Sequence, residues 1–260
     1  MVEDALFGPA GAPTLMAVLT ATSFLLSAQI QQWNERRNVA VALRMAGLLT
    51  LLGTVVVNMH RPGWLQAVDR VTASWMAGHR SENLNLVAST VGDVSSPGVV
   101  ALGALTAAML LSWRARSVLP GLVVLATVAL AGLVTVALRT VLTRPHPPPA
   151  LQMTAEPGGW LPPGHVAVGV ALVGIVAVCG LTRGRRSARL GVTVAVCAAV
   201  VGMVVAPVYL GQRWLSDDIA GALLGAAVVY LGAVVWIAAL PSRSTLRRVL
   251  SYRGPRKRLP

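Results

Sequence analysis

An all-α, polytopic membrane bundle of about seven spans is the fold class this sequence predicts, and three observations predict it. Of 260 residues, 55% are hydrophobic and only 12% charged, with a mean hydropathy of +0.68, where a soluble domain carries about 25% charge. The apolar residues gather into seven runs, each near the length of about 20 residues that crosses a bilayer. The basic residues alternate between dense and sparse from one connecting segment to the next. Intrinsic disorder, a disulfide scaffold and a coiled coil are excluded by the same composition.

The runs are Pro13 to Trp33, Val39 to Met59, Pro97 to Trp113, Leu119 to Leu142, Val166 to Leu181, Leu190 to Leu210 and Ile219 to Leu240. Hydrocarbon offers the backbone no hydrogen-bond partner, so uniformly apolar runs are helices; barrel strands would alternate, and these do not. Met1 to Pro13 contains Glu3 and Asp4 but no Lys or Arg. A secretory signal needs a basic leader, so the first run is expected to be a retained span. Cys179 and Cys197 fall inside apolar runs, where they read as small hydrophobes.

Sixteen basic residues fall on one side of these spans: Arg36, Arg37, Arg44, Arg114, Arg116, those from Arg183 to Arg189, and the tail from Arg243 to Arg258. Six fall on the other: Arg61, Arg70, Arg80, Arg139, Arg144 and Arg213. The positive-inside rule makes the first side cytoplasmic, with the amino terminus outside and the carboxyl terminus inside. Eight of the nine acidic residues lie outside. The net charge of +13 is therefore a topology signal and a clamp on anionic lipids at the cytoplasmic face, and no nucleic-acid partner is expected. Trp33, Trp64, Trp113, Trp160 and Trp214 stand at or near span ends, as interfacial aromatics do.

Between the second and third spans, Trp64, Leu65, Val68, Val71 and Trp75 recur at near-helical spacing, which predicts a helix on the outer membrane surface. Gly221 and Gly225 form a small-xxx-small pair suited to close helix packing. His60 and His79 read as interfacial residues, Glu82 and Asp93 as solvated charges or helix caps, and Asp218 as a solvated loop charge.

Ionisable groups near bilayer depth are costly and usually functional, and three outer segments concentrate them. Arg139-Thr-Val-Leu-Thr-Arg144-Pro-His146-Pro147 closes the fourth span. Pro162-Pro163-Gly164-His165 opens the fifth. Tyr209-Leu-Gly211-Gln-Arg213-Trp214-Leu-Ser-Asp217-Asp218 joins the sixth to the seventh. Together they bring Arg139, Arg144, His146, His165 and Arg213 to one face. Cations beside the free N–H groups of a helix start at Gly164 make an anion site, and guanidinium suits phosphate. At a lipid boundary, that anion is a phosphorylated lipid headgroup.

In order, spacing and side, these residues resemble the type 2 phosphatidic acid phosphatase superfamily, whose pattern is Lys, six residues, Arg-Pro; then Pro-Ser-Gly-His; then Ser-Arg, five residues, His, three residues, Asp. The resemblance implies a six-span phosphatase-like domain over residues 39–240, an additional span over 1–38 and a basic cytoplasmic tail over 241–260. It also implies lipid phosphates or polyprenyl pyrophosphates as ligands, with neither metal nor organic cofactor.

Residue by residue, the match is partial. Arg139 stands at the lysine and His146-Pro147 at Arg-Pro, so one permanent charge is exchanged for a titratable one; Arg144 is an extra guanidinium two residues away. Pro162, Gly164 and His165 match the second motif, and His165 takes the place of the acid that protonates the leaving alkoxide. Pro163 replaces the serine, and with it a hydroxyl and an N–H. Ala206-Pro207 replaces Ser-Arg, and Arg213 occupies the place of the nucleophilic histidine. Asp217 keeps the place of the carboxylate that orients that histidine and is expected to pair with Arg213.

Guanidinium keeps its proton above about pH 12 and has no lone pair to attack phosphorus. The favoured function is thus a pocket that binds phosphate but has lost hydrolysis, serving an envelope-lipid pathway or a partner membrane enzyme. The alternatives are a phosphatase that uses His146, His165 or water activated by Asp217, and a structural or transport-related protein with a vestigial pocket. The orientation is checked by fusing green fluorescent protein or alkaline phosphatase after Pro260. The first is expected to fluoresce and the second to be inactive.

Overall fold

The computed structural model describes residues 12–33, 37–142, 144–153, 164–181 and 186–239. Regular structure among them is helical: α1 (Ala12–Trp33), α2 (Arg37–His60), α3 (Trp64–Gly78), α4 (Glu82–Val94), α5 (Pro97–Ala115), α6 (Leu119–Arg139), a 3-10 turn at Pro149–Leu151, α7 (Gly164–Leu181), α8 (Arg186–Tyr209) and α9 (Leu215–Ala239). Segments within α2, α5, α6, α8 and α9 are long and apolar enough to cross a membrane, and Pro13–Ser27 and Gly164–Gly180 form shorter apolar helices. The expected tail, Trp160, Pro162 and Pro163 lie outside the described residues.

Local chemistry sets the helix ends. Pro62 and Gly63 separate α2 from α3. Ser81 caps α4 by accepting the Leu84 N–H at 3.4 Å, and Glu82 sits in the first turn, where an anion offsets the helix dipole. Pro97 opens α5 at a position where its missing N–H costs nothing. Arg116, at φ 50°, closes α5 in the left-handed region.

Helix α1 packs on α2, α2 on α9, and α7 against α6, α8 and α9; α7 and α9 run parallel, with Ala167 beside Gly225, Gly174 beside Val229 and Ile175 beside Gly232. At mid-depth, Ala131, Ala167, Ala171, Leu224 and Val228 form one apolar cluster; toward the far end, Val123, Val124, Ile175, Cys179 and Trp236 belong to another. Small residues bring α7 and α9 close. A Cβ on Gly225 would come within 2.6 Å of the Ala167 carbonyl oxygen and 2.8 Å of Val170 Cβ, so the expected role of Gly225 in close packing holds against α7.

Two departures from the sequence expectation bear on function. Helix α9 begins at Leu215, not Ile219, which takes Asp217 and Asp218 out of a loop and into its first turn. The expectation that Asp218 is solvated is corrected: it is 0% exposed. The expected helix forms as α3, but the residues it turns to the protein are Leu65, Asp69 and Ala73, whereas Val71 and Trp75 are 69% and 57% exposed.

Gly225→Val is expected to lower the thermal midpoint followed by tryptophan fluorescence in detergent, because overpacking a tight contact costs about 1–3 kcal/mol. Gly180→Ala, where a Cβ meets nothing within 4 Å, is expected to leave the midpoint unchanged or raise it.

Candidate functional site

The end of α6 and the start of α7 meet on the face that also holds α3 and α4. Arg139 is the last residue of α6 and Gly164 the first of α7. A Cβ on Gly164 would lie 2.7 Å from Arg139 Nη2, so the guanidinium rests directly against the α7 amino terminus in space that only glycine leaves. Arg139, Gly164 and His165 line one end of a cleft of about 250 Å³ whose remaining walls include Val100, Val128 and Val168 from α5, α6 and α7. A cation, an imidazole and a helix start thus share the polar end of an otherwise apolar groove, a combination that favours an anion.

Beside it lies a buried ionic clasp. Arg144 Nη1 donates to Asp217 Oδ1 at 2.7 Å and to Ser216 Oγ at 2.8 Å, while Nη2 donates to Asp69 Oδ2 at 2.8 Å. Ser216 in turn donates its N–H to Asp69 Oδ1 at 2.9 Å and its hydroxyl to Asp69 Oδ2 at 2.6 Å. Asp69 is 1% exposed. Its carboxylate, carried by α3, therefore caps the amino terminus of α9, where the dipole favours negative charge. Trp214 covers the cluster, its ring centroid 5.4 Å from Arg144 Cζ, and its indole N–H donates to the Pro145 carbonyl at 2.9 Å.

A second set of bonds holds the surrounding loops. Arg80 Nη2 donates to the Leu151 and Tyr209 carbonyls at 2.5 and 3.2 Å. The Tyr209 hydroxyl accepts the Ser81 N–H at 3.0 Å and donates to Asn85 Oδ1 at 2.9 Å. Gly211 turns the chain with φ 73°, and a Cβ there would collide with the Leu151 carbonyl oxygen. These contacts tie α3, α4, the Pro149–Leu151 turn and the end of α8 into one rim.

Of the residues singled out in the sequence, Arg139, Gly164 and His165 meet at the cleft, and Arg144 and Asp217 meet in the clasp. Arg213 is buried, at 7% exposed, in the turn before α9, and half-buried His146 sits two residues beyond Arg144. Neither is among the residues lining the cleft. Asp217 was expected to pair with Arg213; its Oδ1 is held by Arg144, and the Arg213 charge acts on the same carboxylate. Arg144, expected as an extra phosphate ligand, holds two carboxylates. Ala206 and Pro207 are buried one turn before the end of α8, with Ala206 packed against the Ala88 cluster.

Asp69 and Arg80 were missed. The signal for Asp69 was its spacing: it lies four residues from both Leu65 and Ala73, and an acid at membrane depth demands a partner. Arg80 carried no comparable signal, because its acceptors are backbone carbonyls.

The helical fold has a solved counterpart. The crystal structure of the first transmembrane PAP2 type phosphatidylglycerolphosphate phosphatase from Bacillus subtilis is similar to this chain with a TM-score of 0.70 at 16% identity, covering 76% of this chain and 98% of that one. The fold is that of a transmembrane PAP2-type phosphatase. No protein-family model and no curated protein sequence matches the chain. The likeness settles the multi-pass helical architecture.

Asp69→Ala and Arg144→Ala are each expected to destabilise the protein by about 3–5 kcal/mol, because each leaves buried charge uncompensated. The double variant is expected to lose less than the two single losses combined. Unfolding midpoints of the four proteins in one detergent check both statements.

Proposed function

We propose that the chain is a multi-pass membrane protein that binds a lipid phosphate or polyprenyl pyrophosphate headgroup at the extracytoplasmic face and hydrolyses it little or not at all. The observation that carries this reading is the guanidinium of Arg139 against the α7 amino terminus, with His165 in the same cleft and an apolar groove leading away from both. The polar end matches a phosphate and the groove a hydrocarbon chain. Arg139, Gly164 and His165 are the proposed anchor. Arg213 and His146, which lie outside the cleft lining, are the proposed outer contacts of a headgroup that projects beyond it, and Arg144 serves as the brace that fixes their loops.

Loss of hydrolysis is supported by chemistry. A covalent mechanism needs a nucleophile beside its activating base. Arg213 offers no lone pair, and the carboxylate of Asp217 is engaged by Arg144 at 2.7 Å. The proposed unit is residues 39–240, preceded by one additional span and followed by a basic tail that meets anionic lipid in the cytoplasmic leaflet. A binder of this kind suits an accessory to a partner membrane enzyme of the bacterial envelope that makes or consumes phosphorylated lipids.

Purified protein, incubated with phosphatidic acid or undecaprenyl pyrophosphate, is expected to release no phosphate above a buffer control while binding both. Arg139→Ala with Arg213→Ala should weaken that binding about tenfold or more, each lost charge-assisted hydrogen bond being worth about 1.5–3 kcal/mol. Arg213→His combined with Ala206→Ser and Pro207→Arg is expected to confer measurable turnover. Turnover by the native chain that disappears in His165→Ala would overturn the reading in favour of a working phosphatase.

A further inference from the structure

A second cleft, of about 560 Å³, lies between α1, α2 and the start of α3, lined in part by Thr14, Gly53, Asn58, Arg61 and Trp64. It shares no lining residue with the Arg139 cleft, and its volume falls within the range of about 300–1,000 Å³ typical of ligand pockets. One wall belongs to α1, the helix that the sequence reading places outside the six-span domain.

Its chemistry divides along its length. At the mouth Arg61 is exposed, and among the described residues no carboxylate pairs with it. Trp64 stands beside it with a buried indole N–H that has no hydrogen-bond partner among the described residues. Next come Thr14 and Asn58: the threonine hydroxyl donates to Asn58 Oδ1 at 2.9 Å, and Asn58 Nδ2 donates to the Thr54 carbonyl at 2.8 Å. That bond uses one of the two amide hydrogens of Asn58, so a donor is left over. Beyond them the wall is apolar and open, and a Cβ built on Gly53 meets nothing within 4 Å. A cation and spare donors at one end, with an unfilled apolar trough at the other, complement an anionic amphiphile of the surrounding bilayer.

We propose that this cleft binds one phospholipid with an anionic headgroup, its phosphate against Arg61 and its hydrocarbon chain along Gly53 between α1 and α2. Charge complementarity at Arg61 selects an anionic over a zwitterionic headgroup. The bound lipid fastens α1 to the bundle beside the start of α3, the helix that carries Asp69.

The test uses the full chain carrying Arg139→Ala and Arg213→Ala, so that the first cleft does not contribute, and counts retained lipid by native mass spectrometry after titration with phosphatidylglycerol or phosphatidylcholine. One phosphatidylglycerol per chain is expected, with phosphatidylcholine held more weakly. Arg61→Ala should weaken phosphatidylglycerol about fivefold, the worth of one basic residue at an anionic lipid surface, and bring its affinity to that of phosphatidylcholine. Gly53→Leu, which fills open space without straining the helix, should weaken both lipids. Equal retention of the two lipids by the parent, or unchanged phosphatidylglycerol binding in Arg61→Ala and Gly53→Leu, would show a cleft filled by bulk lipid and overturn the proposal. Displacement of the lipid by inorganic phosphate alone would overturn its commitment to a lipid ligand. None of these results bears on the first cleft, whose binding is read in the chain with Arg139 and Arg213 intact.

Discussion

One guanidinium, that of Arg144, joins parts of the molecule that hydrophobic packing alone would not register. It bridges Asp69 on α3 and Asp217 at the head of α9 from a loop that has no regular structure of its own at that point. Stripping three ionised groups of water is expensive, and the cost is recovered only if every donor and lone pair finds good geometry. Here Ser216 closes the set, accepting from Arg144 and donating to Asp69, while the dipole of α9 adds favourable potential to both carboxylates. The trio carries one net negative charge, which gives buried Arg213 a favourable electrostatic setting nearby.

The clasp constrains the chemistry open to the site. A carboxylate that orients a catalytic imidazole must offer it an oxygen in the right direction, and Asp217 Oδ1 is directed at Arg144. The proposed loss of hydrolysis therefore has two physical supports that do not depend on each other: the absence of a lone pair at position 213 and the engagement of Asp217. Phosphate retention, by contrast, rests on Arg139 and the start of α7, neither of which takes part in the clasp. The Arg139 end of the proposed headgroup site therefore lies outside the clasp, whereas His165 and Arg213 stand both in the proposed anchor and at the positions that would have cut.

Most of the fold was legible because hydropathy at membrane length is a strong signal: each predicted run contains or overlaps a helix, and the turns at Pro62-Gly63 and before Pro97 fall where the composition shifts. The candidate site was legible in part. Arg139 and His165 were found because cations at span ends are conspicuous, and their convergence with Gly164 follows from α6 and α7 being neighbours. Asp69 was obscured because a surface helix of a membrane protein reverses the usual sense of amphipathicity. Apolar Val71 and Trp75 face outward, and the small and polar residues Ala73 and Asp69 face the protein. Asp218 was misjudged for a related reason. Assigning the segment to a loop implies water, whereas Ser216, Asp217 and Asp218 in the first turn of α9 are all buried. No linear pattern could report that Arg144 reaches Asp217, since that contact depends on how a 140s loop folds over a helix more than seventy residues later.

Geometry also bears on what the Arg139 cleft is able to admit. Its α6 wall runs from Val128 to Arg139, a rise of about 17 Å at the pitch of an α-helix, or about half the hydrocarbon thickness of a bilayer. A headgroup at Arg139 would therefore leave its chain running through one leaflet and ending near the midplane, without crossing to the other face. The lining along that path is Val, Ala, Gly and Pro apart from Thr135, one turn below Arg139, whose hydroxyl is already spent on the Ala131 carbonyl. Selectivity among lipid phosphates must then come from the polar end, where phosphate charge meets Arg139, and scarcely from the tail. That is the behaviour expected of a protein that recognises a class of phosphorylated lipids by their common anion.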